Sequence, residues 1–212
     1  MGGRAFDIER KVRRREWARL LPGVYLNHTG EPTWNQRGWA GVLHFWPAAL
    51  CAESALRAAN GPGWRRRQDS ESLRIAVAPD RKVAQVPGYR VGRLALFDES
   101  VQPNKGPPRV RIEEAAIDVA ARARCDFDAI GVLADVCQSR RTTAARILEA
   151  LSARKRVRRR GWLMEVMSDV AEGLGPGVRP SVPHGRAHRP PAPAAWMDRV
   201  AEALRARLRS LS

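Results

Sequence analysis

The hydrophobic period of this 212-residue chain changes at Pro107-Pro108, and that change limits the fold more than any other feature. Beyond the two prolines the apolar residues recur with helical spacing only. Ile112, Ala116, Val119 and Ala123 share one face. Ile130, Leu133 and Cys137 follow Asp126, a residue able to cap, and Ile147, Leu148 and Leu151 follow Thr142. A last helix carries Trp162, Leu163, Val166 and Val170.

Upstream, the two periods alternate. Trp17–Leu21 and Val24–Leu26 flank Pro22-Gly23, which predicts a β-hairpin. Residues 33–46 predict a helix opened by a Thr33/Gln36 capping box, lined by Trp39, Val42, Leu43 and Trp46, and stopped by Pro47. A second helix spans Cys51–Ala59 and ends at Asn60-Gly61. After the polar loop 60–70 come strands at Leu73–Ala78 and within Tyr89–Leu96. Both periods in one chain predict an α+β fold, mixed at first and mainly helical later. Past residue 173 the composition shifts. Residues 173–195 are rich in Gly, Pro, His and Arg without periodicity, which predicts a disordered linker. Residues 196–212 recover an amphipathic helical pattern in Met197, Val200, Leu204, Leu208 and Leu211.

Charge narrows the partners. The chain holds 38 Lys+Arg against 22 Asp+Glu, a net +16, which suits a polyanion such as nucleic acid. Only Lys11, Lys82, Lys105 and Lys155 are lysine, a bias that GC-rich coding produces equally well. No apolar run reaches the ~18 residues that a bilayer requires, and Met-Gly-Gly-Arg opens no signal core. Cys51, Cys125 and Cys137 lie in apolar helical contexts and read as small buried hydrophobes in a reducing compartment. A cytoplasmic location without membrane partners is expected.

The sharpest local signal is at the start. Residues 4–16 predict a helix with Ile8 and Val12 on one side and cations elsewhere, followed at once by the hairpin. A basic helix leading into a hairpin is the second half of a winged helix-turn-helix, the helix reading the major groove and the wing lying on phosphates. Arg4, Arg10, Lys11, Arg13, Arg14 and Arg15 would contact DNA from the helix and Arg19 from the wing, since guanidinium pairs bidentately with phosphate and guanine. A solvated basic helix capping a small sheet satisfies the same spacing. The run Arg154–Arg160 reads first as a solvated helix junction, with nucleic-acid binding as its other use.

Catalytic signatures are not found. His28, His44, His184 and His188 have no metal-ligand spacing, and the chain holds no C-x-x-C, G-x-S-x-G, Walker A or G-x-G-x-x-G. His28 and His44 read as structural, and Glu53-Ser54 and Glu113-Glu114 fall in helices without a base nearby. No enzyme activity, metal or cofactor is expected.

Arg13–Trp34, Trp46–Arg57, Pro107–Ala123 and Leu133–Leu151 together resemble the AbiEi antitoxin family in its actinobacterial form, over about residues 4–172. The most specific pieces are the E-W-x-R-L-x-P-G-V-Y wing and the Q-S-R-R-T-T-A helix start. The resemblance implies a winged-helix unit, partial here and covering residues 1–30, before an antitoxin body at 31–172. It implies the antitoxin of a type IV toxin–antitoxin system, which represses its own promoter through inverted repeats. The toxin it counters would be nucleotidyltransferase-like, opposed without a stable complex. Many such relatives continue into a Vsr-like endonuclease domain, whereas here the resemblance stops at Gly173 and the tail has the composition that out-of-frame translation would give. The alternative expectation is a truncated, non-catalytic remnant of such an endonuclease-domain protein, retaining only an interaction body.

Overall fold

A computed structural model describes residues 5–62, 64 and 72–173. The expected linker and C-terminal helix from residue 174 onward, most of the polar loop at 60–70, and Arg4 lie outside the described residues. The fold is α+β. Its elements are α1 (Ala5–Arg13), β1 (Ala18–Leu21), β2 (Val24–Leu26), α2 (Trp34–His44), β3 (Ala49–Leu50), α3 (Ala52–Asn60), β4 (Leu73–Val77) and β5 (Tyr89–Arg93). There follow α4 (Phe97–Ser100), β6 (Val101–Gln102), β7 (Arg109–Val110), α5 (Ile112–Ala121), α6 (Asp126–Gln138), α7 (Ala144–Ala153) and α8 (Arg160–Gly173).

β1 and β2 form the expected hairpin, pairing Arg19 with Tyr25, with Gly23 at φ 79° in the turn. The other five strands form one mixed sheet in the order β5-β4-β3-β7-β6. β3 is its hinge, antiparallel to β4 and parallel to β7. β3 is only two residues long, and β6 and β7 are no longer, so none carries a readable period. β7 also corrects the reading of a purely helical chain after Pro107-Pro108. Pro108 lacks a backbone N–H and prolines bias their predecessors to extended backbone, so the chain completes a strand before α5 begins at Ile112.

α2 opens as the sequence predicts. Gln36 N–H donates to Thr33 Oγ1 at 3.3 Å, and Thr33 N–H donates to Gln36 Oε1 at 2.9 Å. Its buried face, however, is the glycine face. A Cβ on Gly41 would lie 2.5 Å from Tyr89 Cε1 and 3.1 Å from Ile75 Cδ1, and one on Gly38 would meet Pro107, Leu50 and Leu73. Missing side chains let the helix backbone settle directly on the sheet. Val42 and Phe45 are buried beside the glycines, in one core with Leu21, Leu50, Leu73, Ile75, Val77 and Tyr89. Of the four apolar residues that the helical spacing groups together, Val42 is buried in this core, and Trp39, Leu43 and Trp46 are exposed.

The sheet's other face carries Ala49, Ala76 and Val110 around Phe97. The largest core joins Ala55 and Leu56 of α3 to α5–α8 through Ile117, Leu133, Val136, Ile147, Leu151, Leu163 and Met167. Two caps differ from expectation. Asp126 is the first residue of α6 rather than its cap, and Cys125 holds the cap position without a side-chain bond. Thr143, not Thr142, caps α7 by accepting from the Arg146 N–H, because the buried Thr142 hydroxyl donates to Glu113 Oε1 at 2.5 Å.

The basic run at 154–160 is a structural junction. Arg154 bonds Glu114 at 3.1 Å and Asp118 at 2.7 Å, tying α5 to the end of α7. Arg160 donates to the carbonyls of Leu151, Ser152 and Arg154, closing the C-terminus of α7. Arg159 pairs with Asp126 and stacks its guanidinium 4.1 Å from the Trp162 ring centre.

Two results are expected. Gly41→Ala should lower the melting temperature, because overpacking against Tyr89 costs about 1–3 kcal/mol and exceeds the helix-propensity gain. Gly161→Ala in α8 meets nothing within 4 Å and should raise it; the reverse order would show that α2 can lift off the sheet freely. Arg154→Ala leaves two largely buried carboxylates unpaired and should cost about 2–4 kcal/mol at neutral pH. Burial raises the Glu114 carboxyl above its ordinary range while Arg154 opposes that shift. Without Arg154 the folded state holds the Glu114 proton still more tightly than the unfolded chain. The deficit of the variant should therefore shrink as pH falls from neutral toward the carboxylate range, and denaturant titrations at several pH values measure it.

Candidate nucleic-acid interface

α1 is shorter than the helix expected over 4–16, and its end explains the difference. The Glu16 N–H reaches back to the Lys11 carbonyl and the Arg15 N–H to the Val12 carbonyl, both at 3.0 Å, with Arg15 at φ 58°. This is a Schellman closure, in which the left-handed position is ordinarily glycine. An arginine there carries a backbone cost of roughly 1 kcal/mol, since its Cβ crowds the following carbonyl. Just past the closure, half-buried Trp17 receives the Lys11 ammonium 4.8 Å from its ring centre.

The hairpin is seated on α2. Leu21 is buried in the α2 core, Leu20 and Val24 pack against it, and His44 Nδ1 donates to the Pro22 carbonyl at 3.0 Å. His28 Nε2 accepts from the Gln36 amide at 2.8 Å. Both histidines are thus hydrogen-bonded within the fold.

Of the seven cations singled out in the sequence, Arg4 lies outside the described residues. Arg10, Arg13, Arg14 and Arg15 are exposed on the end of α1 and its closure, and Arg19 is exposed on β1. Arg10 pairs with Asp7 at 3.5 Å, a surface pair worth little. Lys11 stands apart from these, half-buried over Trp17. The side chains of Ile8 and Val12 are half-buried, so the apolar side of α1 faces away from Arg13 and Arg14.

The cysteines differ from one another. Where all three were expected to be buried, Cys51 and Cys137 are half-buried and Cys125, at the turn that opens α6, is exposed. Burial pushes the Cys51 thiol up to about 12 and the Cys137 thiol up to about 11. Among the described residues no group of three or more His, Cys, Asp or Glu could hold a metal ion, and no helix is long and apolar enough to cross a membrane. No protein-family model matches the chain, and no curated protein is significantly similar to it.

Trp39, Leu43 and Trp46, which share the helical spacing with Val42, form an exposed apolar stripe instead of joining it in the core. Gly38 and Gly41 on the opposite side of α2 were the signal for it, since a pair of glycines three apart marks where a helix approaches its neighbour most closely.

Arg15→Gly should relieve the left-handed position. The amides of Arg15 and Glu16, both bonded within the closure, should then exchange about fivefold more slowly, the factor that ~1 kcal/mol gives. Unchanged or faster exchange would mean that Arg15 carries no strain.

Proposed function

We propose that this chain is a DNA-binding transcriptional regulator of the AbiEi antitoxin kind, with α1 as the recognition helix and the β1–β2 hairpin as its wing. Arg10, Arg13, Arg14 and Arg15 would lie in or beside the major groove and Arg19 on a phosphate. The observation that carries the reading is the run Arg13-Arg14-Arg15, exposed at the end of a helix that closes directly into a hairpin. That an arginine occupies the left-handed position of the closure favours a use for its side chain over the comfort of the backbone. On this reading the protein works in the cytoplasm, represses its own promoter at inverted repeats, and counters a nucleotidyltransferase-like toxin without binding it stably. No catalytic role is proposed for any side chain.

The test is a titration against promoter and scrambled DNA at two salt concentrations. Arg13→Ala combined with Arg14→Ala should abolish the promoter preference with an unchanged circular dichroism spectrum, because both side chains are exposed. Single losses should divide into phosphate contacts, which lower the salt slope by about one, and base contacts, which cost about 1–3 kcal/mol at one position. Arg156→Ala with Arg158→Ala, exposed at the junction, should matter much less. Equal losses from the two double variants would reduce binding to diffuse electrostatics, and no promoter preference in the unaltered chain would favour the remnant reading.

A further inference from the structure

We propose that the start of α6 and the segment leading into α8 form a surface that binds single-stranded nucleic acid, with Phe127 stacking on a base and the cations around it holding phosphates. Phe127 is 69% exposed, the most exposed large apolar side chain among the described residues. It directly follows Asp126, whose carboxylate takes the Arg159 guanidinium. That guanidinium also covers a face of half-buried Trp162, 4.1 Å from the ring centre. One ion pair therefore clamps the first turn of α6 to the entry of α8, and each segment brings its own cations.

Arg122 and Arg124 lie within four residues of Asp126, and Lys155, Arg156 and Arg158 lie within four of Arg159; all five are exposed. Four residues of chain reach at most ~14 Å, so each of these Cα atoms stands within that distance of one member of the pair. Over the same stretches, 122–130 and 155–163, the one acid besides Asp126 is Asp128. Glu165, a turn beyond Trp162, is the next along α8. In the basic run, Arg154, Arg159 and Arg160 serve the helix junction, and Lys155, Arg156 and Arg158 remain in solvent.

Charge and shape together choose the occupant. Cations at this density draw a polyanion and repel a second copy of a chain that carries +16. A duplex hides the faces of its bases, so a ring standing clear of a helix can stack only where a base is unpaired. Phe127 is also the one exposed large apolar side chain on α5–α8. A bound protein segment would need an apolar groove, whereas a planar base needs one ring and phosphate contacts beside it. This surface is separate from α1 and stands whether or not α1 binds promoter DNA.

Fluorescence anisotropy of the full chain with a labelled thymidine oligomer of about 12 nucleotides, at about physiological salt, is the test. The unaltered protein should bind it with a Kd of roughly tens of micromolar or tighter. Phe127→Ala, with an unchanged dichroism spectrum, should weaken that binding about fivefold or more, which is what one base–ring stack gives. The same substitution should not affect an abasic oligomer of equal length, which offers phosphates alone. Arg156→Ala combined with Arg158→Ala should weaken both oligomers, and Arg13→Ala combined with Arg14→Ala should leave the Phe127 effect as large as before. Equal losses from Phe127→Ala on the two oligomers, or no loss on either, would overturn the proposal. So would a chain that binds neither. Binding to phosphatidylserine vesicles or to polyglutamate that depends on Phe127, while oligomer binding does not, would overturn it in favour of a membrane or an acidic peptide.

Discussion

Contact between the backbone of α2 and the ring of Tyr89 governs the arrangement of the whole N-terminal half. Only a residue without Cβ fits at position 41, where an added carbon would stand 2.5 Å from the ring. Tyr89 cannot yield, because its hydroxyl donates to the Arg37 carbonyl at 2.9 Å and its ring stands edge-on to Phe45 at 6.1 Å. Burial holds its phenol above the ordinary tyrosine range, which keeps it a neutral donor. With α2 fixed at this height, Leu21 reaches the same core and the hairpin acquires its seat.

A consequence is that α2 has two unlike sides. Large apolar side chains normally face inward, yet here the inward side is chosen by closeness of approach, and the tryptophans are left outside. The helix is then both a strut, carrying the hairpin on its C-terminal end through His44, and a surface in its own right. The exposed cations at the end of α1 and the exposed apolar side chains Trp39, Leu43 and Trp46 on and just after α2 offer opposite chemistries. One suits a polyanion and the other a neutral, apolar counterpart.

In the helical half, polar contacts set the order. Arg154 and Arg160 serve the packing of α5, α7 and α8, and Arg159 ties α6 to α8. High arginine content therefore does not translate directly into a binding surface, since guanidinium groups that satisfy helix carbonyls and buried carboxylates are spent on structure. The arginines at the end of α1 differ in being exposed, and Arg10 pairs there with Asp7 across the surface.

Local chemistry made much of this legible from residues alone. The capping box at Thr33, the Pro-Gly hairpin, the strands at 73 and 89, and the succession of helices after residue 112 follow from signals a few residues long. The same holds for the α+β class and for the clustering of cations at 10–19. Tertiary structure decided what such signals do not encode. Two-residue strands such as β3 and β7 exist only because neighbours pair with them. Thr142 gave up the cap because Glu113, distant in sequence, offered its hydroxyl a buried acceptor. Which face of α2 is inward was likewise settled by the partner's shape, since periodicity shows that a helix has an apolar side but not how closely the opposite side can approach another surface.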